Sequence, residues 1–314
     1  MIPDQRPEVI ITHESDLDGF VSGLLLQRLA RERFGKEPKL LSYNHQTFKN
    51  RHFVETTGWV ADFALDKRMD KHNWMVVDHH HTGYQPVNCR FIHNPEKSAG
   101  LLSYELCREA GIQSEALDKL VELNNVADLF LHQSPSFDEA QLYAGLIKSY
   151  GFWNIHSLIG GELEKLLDHP LLKVMAVRQE IEDPIGLSLS RDNIVELSKK
   201  VGFVSTTIGN INLIIHQLLE DPSVEFEVLT TLFRKPNGTV IASFRSRNQT
   251  ALSIARQFQG GGHPNASGAT LPRSVDSIKQ AIEYLTQILN PQTPETPPIN
   301  DLASLFDSID VAEE

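Results

Sequence analysis

The sequence predicts an α/β protein: an N-terminal domain with a mainly parallel sheet flanked by helices, followed by a smaller C-terminal α+β domain. Two observations support this prediction. In the N-terminal part, short apolar runs alternate with amphipathic segments, which is the pattern of a parallel sheet with covering helices. After about residue 200, β-branched runs separated by turn residues become frequent, which indicates a second sheet.

The first domain begins with a strand at residues 8–12, the loop HESDLDG, and a helix at 19–34 that a glycine terminates. Further strands are predicted in PKLLSYNH, TTGWVADFAL and NWMVV. Helices follow at 98–111 and 114–127, each opened by a serine. A mainly helical pattern continues from there to about residue 195.

In the second domain VGFVSTT, EFEVLTTLFRK and GTVIASFRSR are predicted as strands, with Asn237–Gly238 as a hairpin turn. TALSIARQF is predicted as a helix and GGGHPNASGA as a Gly-rich loop. The tail is Pro-rich and then acidic, which is typical of a flexible segment. The expected boundaries are 1–190 for the first domain, 191–199 for a linker, 200–290 for the second domain and 291–314 for the tail.

Composition limits the classes of partner. Lys and Arg number 29 against 41 Asp and Glu, a net charge of −12, which argues against binding along long nucleic acid but not against a short anionic substrate. Cys89 and Cys107 cannot form a disulfide framework, and the sequence shows neither a signal peptide nor a membrane-spanning run. We therefore expect a cytoplasmic protein with no membrane partner.

The loop HESDLDG contains a candidate metal site. Asp16 and Asp18 direct two carboxylates to nearly the same place, where they repel each other unless cations lie between them. His13 precedes them. On its own this motif is equally typical of a surface turn, and His13 of a structural histidine.

Other ionisable side chains follow predicted strands. Asp62 and Asp78 lie at strand ends, so they are expected near His13 at the carboxyl edge of the sheet. The period of two in a strand predicts that His79 and His80 point to opposite sides, one towards a metal and the other towards substrate. Asp78 could then orient a histidine.

Together with Asp128, at the end of a predicted helix, these side chains supply enough oxygen and imidazole ligands for two divalent ions. Mixed Asp and His sets without Cys suit Mn²⁺ or Mg²⁺ better than structural Zn²⁺. Two such ions about 3.5–4 Å apart, sharing one carboxylate, promote attack by water on a phosphate ester.

The second domain offers phosphate-binding candidates. Glycines let backbone N–H groups approach phosphate oxygens, although a Gly-rich segment after a helix is also typical of a simple turn. Two arginines alternate with a serine on one strand, so both are expected on one face, either binding phosphate or solvated. The candidates are Arg245, Arg247, Gly260, Gly261, Gly262 and His263.

These motifs resemble the DHH family of phosphoesterases, named for an Asp-His-His motif that is Asp78-His79-His80 here. THESDLDGFVSG resembles the first family motif, VADFAL the second and NNVADLF the fourth. SFRSRN…SIARQFQGGGHPNASGA resembles the DHH-associated substrate domain, so the resemblance covers about 10–290. One departure is that Asp16 follows His13 by three positions, whereas many relatives have four.

The resemblance implies two Mn²⁺ ions, with Mg²⁺ or another divalent ion as alternatives. It implies that Asp62 bridges them, that His80 contacts the scissile phosphate with support from Asp78, and that Arg245 and His263 bind a terminal phosphate. The implied ligands are His13, Asp16 and Asp62 for one ion, and Asp18, Asp62, His79 and Asp128 for the other.

The activity that the resemblance implies first is degradation of short RNA or DNA oligonucleotides to mononucleotides, as in oligoribonuclease-type members of the family. The second domain would bind the rest of the substrate and so favour short molecules. Hydrolysis of cyclic or linear dinucleotides, or of 3′-phosphoadenosine 5′-phosphate, is the alternative. A non-catalytic nucleotide sensor is the alternative of another class, and a homodimer is left open.

Overall fold

The computed structural model describes residues 2–205, 208–235 and 237–291. The chain divides into two compact units between Asp183 and Pro184, a division that falls inside one helix. The tail predicted from residue 291 onward lies, apart from its first residue, outside the described part.

The first unit is built on a five-stranded sheet in which every pairing is parallel. The strand order is β2-β1-β3-β4-β5. The three central strands are buried along their whole length, as expected for a parallel sheet that is covered on both faces. The strands are β1 Val9–His13, β2 Lys39–Tyr43, β3 Gly58–Ala61, β4 Trp74–Asp78 and β5 Arg90–His93.

Four helices of this unit, α1 to α4, begin at residues whose side chains cap them. Asp16 caps α1 by accepting from the Gly19 amide, and Gly35 ends the helix with a left-handed φ of 67°. Ser98 and Ser114 cap α3 and α4. The helices are α1 Leu17–Phe34, α2 His45–Lys49, α3 Ala99–Glu109, α4 Glu115–Asp128, α5 Phe137–Tyr150, α6 Phe152–Ile159 and α7 Leu171–Arg191, whose last part belongs to the second unit, with a short 3-10 helix at Leu163–Leu166.

The second unit contains a six-stranded mixed sheet in the order β10-β11-β9-β8-β7-β6. On β9 residues alternate between buried and half-buried. The buried face packs against α9 and α10 around Phe244 and Ala242. The elements are β6 Val195–Ser198, β7 Val201–Phe203, α8 Ile211–Glu220, β8 Val228–Arg234, β9 Val240–Ser246, α9 Ala251–Gln257, β10 Gly261–His263, β11 Ala266–Thr270 and α10 Ile278–Leu289.

The fold class is confirmed, while some element assignments are wrong. The segment predicted as a Gly-rich loop forms the antiparallel hairpin of β10 and β11, because pairing with β9 outweighs the weak strand propensity of glycine. The segment predicted as a linker contains β6, which pairs with β7. The predicted domain boundaries stay a prediction.

None of the helices in the described part of the chain combines the length and the apolar character that a membrane-spanning helix requires.

Candidate metal centre

The side chains predicted as metal ligands lie together at the carboxyl edge of the parallel sheet. They come from four segments that are distant in sequence, at residues 13–18, 62, 79 and 128, but adjacent in the sheet or in the helices packed beside it. His13 ends β1, Asp16 and Asp18 open α1, Asp62 follows β3, His79 follows β4, and Asp128 ends α4.

Ligand atoms in this cluster are close enough to share metal ions. Three overlapping groups each offer donor atoms that all lie within 4.8 Å of one another. The groups are His13, Asp16 and Asp62; Asp18, His79 and Asp128; and Asp62, His79 and His80.

The first group depends on a close approach of α1 to β1. Nδ1 of His13 lies 2.7 Å from Oδ2 of Asp16 and 3.5 Å from Oδ2 of Asp62. The other Asp16 oxygen accepts a hydrogen bond from the Gly19 amide at 3.1 Å. A Cβ at Gly19 would lie 2.2 Å from the His13 carbonyl oxygen. The glycine of the D-x-D-G motif is therefore required sterically.

Asp62 lies between the groups and has a strained backbone. Its φ is 57°, a left-handed conformation that costs a non-glycine residue on the order of 1–3 kcal/mol. Its amide donates to the Val77 carbonyl at 3.0 Å, so pairing with β4 holds the turn. Such strain is typical of functional sites.

In the second group His79 faces three carboxylates. Its Nε2 lies 3.4 Å from Asp128 Oδ2, 3.7 Å from Asp62 Oδ1 and 3.8 Å from Asp18 Oδ2. Three carboxylates around one imidazole nitrogen form a strongly negative pocket.

Asp18 is held from behind by α3 and α4. Its oxygens accept hydrogen bonds from the amides of Ala99 at 2.8 Å and Gly100 at 2.7 Å, and from Nδ2 of Asn124 at 2.6 Å. A Cβ at Gly100 would lie 2.3 Å from Asn124 Nδ2. The start of α3 thus fixes the Asp18 carboxylate in place.

The shifted pKa values of this cluster indicate that bound positive charge would stabilise it. Burial and the charge of Asp62 raise the pKa of Asp18 to about 6, and burial with the neighbouring carboxylates raises that of Asp128 well above its usual range. Burial lowers the pKa of His13 and of His79, but the surrounding carboxylates outweigh burial and raise these values to about 10 and about 9.

The donor set fits divalent cations with oxygen and nitrogen ligands. Among the described residues, Nε2 of His79 and Oδ2 of Asp128 are buried without a hydrogen-bond partner. Unpaired buried polar atoms are costly, and an ion bound between them would satisfy both. Asp and His donors without Cys are typical of Mn²⁺ or Mg²⁺ sites.

His80 lies on the same side as His79, so the prediction of opposite orientations is wrong. The two rings are 4.4 Å apart between centroids, because β4 ends at Asp78 and the strand alternation stops there. Asp78 accepts hydrogen bonds from His80 Nδ1 at 2.8 Å and from the His80 amide at 3.1 Å. This contact orients the His80 ring, whose side chain is 33% exposed.

Two further residues, Asn124 and His45, lie at the candidate centre but are not among the predicted site residues. Asn124 supports Asp18, and its position four residues before Asp128 on one helix was a usable signal. The His45 ring lies 4.4 Å from that of His13. His45 follows β2, so the strand-end rule that selects Asp62 also applies to it.

The phosphate-binding candidates of the second unit differ in position, since Arg245 and His263 lie within the sheet and Arg247 lies beyond the end of β9. His263, Ala266 and Arg245 lie side by side across β10, β11 and β9, and opposed residues of antiparallel strands share a face. Arg247 follows β9 and donates to the carbonyls of Asp221 and Val224, each at 3.2 Å, so its guanidinium already holds a loop.

The glycines of this segment differ among themselves. A Cβ at Gly260 would lie 2.3 Å from the Gly268 carbonyl oxygen, and one at Gly262 would lie 2.7 Å from that of Ala266. A Cβ at Gly261 would meet nothing within 4 Å. Tight packing therefore explains two of the three glycines, and Gly261 lies on an open surface.

Comparisons with known proteins support the predicted resemblance. Residues 199–290 match the DHHA1 domain. The pGpG-specific phosphodiesterase PggH from Vibrio cholerae has a similar structure, with a TM-score of 0.56 and 15% identity over 90% of this chain and 98% of that one.

Two RecJ structures are also similar. RecJ from Thermus thermophilus in complex with Mn²⁺ has a TM-score of 0.56 and 15% identity over 98% of this chain and 57% of that one. An exonuclease RecJ bound to manganese has a TM-score of 0.55 and 14% identity, over 97% and 94%. No curated protein matches the sequence. The resemblance to DHH-family phosphoesterases is thus confirmed, by a DHHA1 domain at 199–290 and by the fold of both units.

Proposed function

We propose that the chain is a metal-dependent phosphodiesterase that degrades short oligonucleotides and dinucleotides to mononucleotides. The observation that carries this proposal is the cluster at the carboxyl edge of the parallel sheet. It combines overlapping ligand groups around Asp62 with unpaired donor atoms on His79 and Asp128. Such an arrangement suits two divalent ions, and we propose Mn²⁺ as the first choice.

Each side chain of the cluster has a proposed role. His13 and Asp16 would hold one ion and Asp18, His79 and Asp128 the other, with Asp62 shared. Divalent ions in these positions would offset phosphate charge and lower the pKa of a water molecule. Asp18 enters the site already fixed by α3 and Asn124, which favours a preorganised geometry.

His80 is the proposed contact to the scissile phosphate. Asp78 holds its Nδ1, so Nε2 remains for a hydrogen bond to a phosphate oxygen. Because the His80 side chain is partly exposed while Asp78 is fully buried, the pair can reach substrate without moving its anchor.

The DHHA1 unit is proposed to bind the remainder of the substrate through Arg245 and His263, which lie on one face of its sheet with only Ala266 between them. A guanidinium and an imidazole suit a terminal phosphate. The similarity to PggH, a pGpG-specific phosphodiesterase matched over 98% of its length, favours linear dinucleotides among the candidate substrates.

The test is product release with Mn²⁺ from two-, five- and twenty-nucleotide RNA and DNA, a cyclic dinucleotide, and 3′-phosphoadenosine 5′-phosphate. Asp62→Ala and His79→Ala are run beside the wild type. Rapid hydrolysis of the shortest strands, lost by at least roughly 100-fold in both variants, supports the proposal. Preference for the cyclic or bisphosphate substrate would identify a different nucleotide as the substrate. Lack of hydrolysis of every substrate would favour a non-catalytic nucleotide sensor.

A further inference from the structure

One face of the second unit's sheet carries an exposed aromatic side chain. Phe233, near the end of β8, is 64% exposed. The same residue type on the opposite face, Phe244 on β9, is completely buried under α9 and α10. An exposed phenylalanine is common by itself, so its surroundings decide whether it has a role.

Strand register places Phe233 on the face that carries the phosphate-binding candidates. Leu229 of β8 is opposite Arg245 of β9, and Phe233 is opposite Ile241. Residues two apart on a strand point to the same side, so Arg245, Ile241 and Phe233 share one face. From the row of Arg245 to the row of Phe233 the distance is about 13 Å, at roughly 3.3 Å for each of four residues.

The row between these two carries only small side chains. The intervening row consists of small residues from four adjacent strands, and the backbone is close to the surface there. These residues are Gly261, Gly268, Ser243 and Thr231. All four are half-buried or exposed, and a Cβ at Gly261 would meet nothing within 4 Å.

We propose that this face is a nucleoside platform, in which Phe233 stacks on a base of a short nucleotide whose phosphate is bound by Arg245 and His263. This inference rests on the proposed function, because the phosphate contacts are part of it. The charge of Arg245 selects an anionic ligand, the small residues leave room for a flat group, and Phe233 provides a stacking surface at the far end. The hydroxyls of Ser243 and Thr231 can accept or donate hydrogen bonds to ribose.

The occupant is a nucleobase rather than a general apolar group. The exposed apolar part of the face is confined to one row, Phe233 and Ile241 beside Thr270, because Leu229, opposite Arg245, is buried against α8. That width matches one planar ring, whereas a protein partner would need several hundred Å² of contiguous surface.

The test measures binding without hydrolysis. A two-nucleotide RNA with 2-aminopurine at either position is titrated with the full chain in EDTA, and quenching of 2-aminopurine fluorescence reports stacking. Phe233→Ala is expected to weaken binding about 5- to 150-fold, the range for loss of one base–aromatic stack. Phe233→Tyr is expected to bind within about twofold of the wild type.

Matched variants and ligands separate stacking from other effects. Phe233→Leu keeps apolar area without a ring and is expected to lose the quenching. Ile288→Ala, which removes an apolar side chain exposed on α10, is expected to leave binding unchanged. An abasic dinucleotide is expected to bind to the wild type and to Phe233→Ala with the same affinity.

The outcomes also separate this inference from the proposed function. If the wild type hydrolyses the dinucleotide with Mn²⁺ but Phe233→Ala binds it as tightly, the platform is wrong and the function stands. If quenching depends on Phe233 but no hydrolysis occurs, the platform stands and the function is wrong. Equal binding by Phe233→Leu and wild type, or no binding by the wild type, would also overturn the platform.

Discussion

Individual residues of the candidate metal centre depart from local structural preferences. Asp62 adopts a left-handed conformation that glycine would occupy at lower cost. Asp18 is a carboxylate with 1% of its surface exposed. Both features lower the stability of the fold, so selection for folding alone would not retain them. Their concentration at one sheet edge is therefore an argument for a functional site that does not depend on any resemblance.

Replacing Gly19 by alanine is predicted to damage both folding and metal binding. The new Cβ would lie 2.2 Å from a backbone oxygen of His13, so α1 must move away from β1. The expected loss in free energy of unfolding is about 1–3 kcal/mol, measured by chemical denaturation. Gly83→Ala is the control, since a Cβ there meets nothing within 4 Å. Equal effects of the two substitutions would refute the steric explanation.

Replacing Asp128 by asparagine is predicted to stabilise the metal-free protein while removing its response to Mn²⁺. The Asp128 carboxylate is buried beside those of Asp18 and Asp62, which raises its pKa. A neutral amide relieves the repulsion, worth about 1 kcal/mol by analogy with other active-site substitutions. Thermal melts in EDTA and in Mn²⁺ measure both effects. A variant that keeps the wild-type Mn²⁺-induced increase in Tm would show that Asp128 is not a ligand.

At the scale of elements, the segment between β4 and β5 carries His80 and is held in place by two anchors. The His80 carbonyl interacts with Nε2 of His93 on β5 at 2.9 Å. Further along, Asp70 accepts hydrogen bonds from the amides of Asn88 at 2.7 Å and Cys89 at 2.8 Å. It also accepts from the Val87 amide and from the Tyr84 hydroxyl.

Asp70→Asn is predicted to destabilise the protein in a pH-dependent manner. Burial alone would raise the pKa of Asp70, but its hydrogen bonds to the Cys89, Asn88 and Val87 amides outweigh burial and lower it. The stabilisation is therefore complete above the unfolded pKa of about 3.9 and is lost as pH falls towards the folded value.

The expected difference in free energy of unfolding between wild type and Asp70→Asn is about 1–2 kcal/mol at pH 7, towards the low end for unpaired donors because the site is partly exposed. Denaturation at pH 7 and pH 3 measures it. The difference should shrink at pH 3, and a difference that grows with acidity would contradict the assigned pKa direction.

The elements that the sequence predicts correctly are those with strong local signals. The strands β1, β3 and β4 are dense in Val, Ile and Trp, and α1 has a cap at each end. β5 and β10 escape prediction because they are short edge strands, β5 partly and β10 wholly exposed, that depend on neighbours to form. α8 was predictable from its apolar spacing after the Asn210 cap.

The candidate metal site was predictable in its members but not in its geometry. A strand-end rule selects His13, Asp62 and Asp78. It cannot show that His79 and His80 lie on one side, because that depends on where β4 ends. It also cannot show the support of Asp18 by α3, since those contacts join residues 81 and 82 positions apart.

At the scale of the whole molecule, the net charge is −12. The proposed anionic substrate would therefore have to be attracted by a few cationic groups close to its binding site. Because few cationic side chains would touch phosphate, the affinity for a dinucleotide should depend only weakly on salt. A plot of the logarithm of the binding constant against the logarithm of salt concentration is expected to have a slope of about −0.7 for each phosphate contact. Arg245→Gln should reduce that slope by about 0.7, as measured by titrations at several salt concentrations. An unchanged slope would show that Arg245 does not contact phosphate.

The most direct test of the account is the number of Mn²⁺ ions that the full chain binds, measured by calorimetry and by bound-metal analysis. We predict two ions for the wild type and loss of high-affinity binding at both positions in Asp62→Asn, because Asp62 is the ligand that both ions are proposed to share. A wild type that binds no Mn²⁺, or an Asp62→Asn variant that still binds two ions with wild-type affinity, would contradict the assignment of this sheet edge as a two-metal centre.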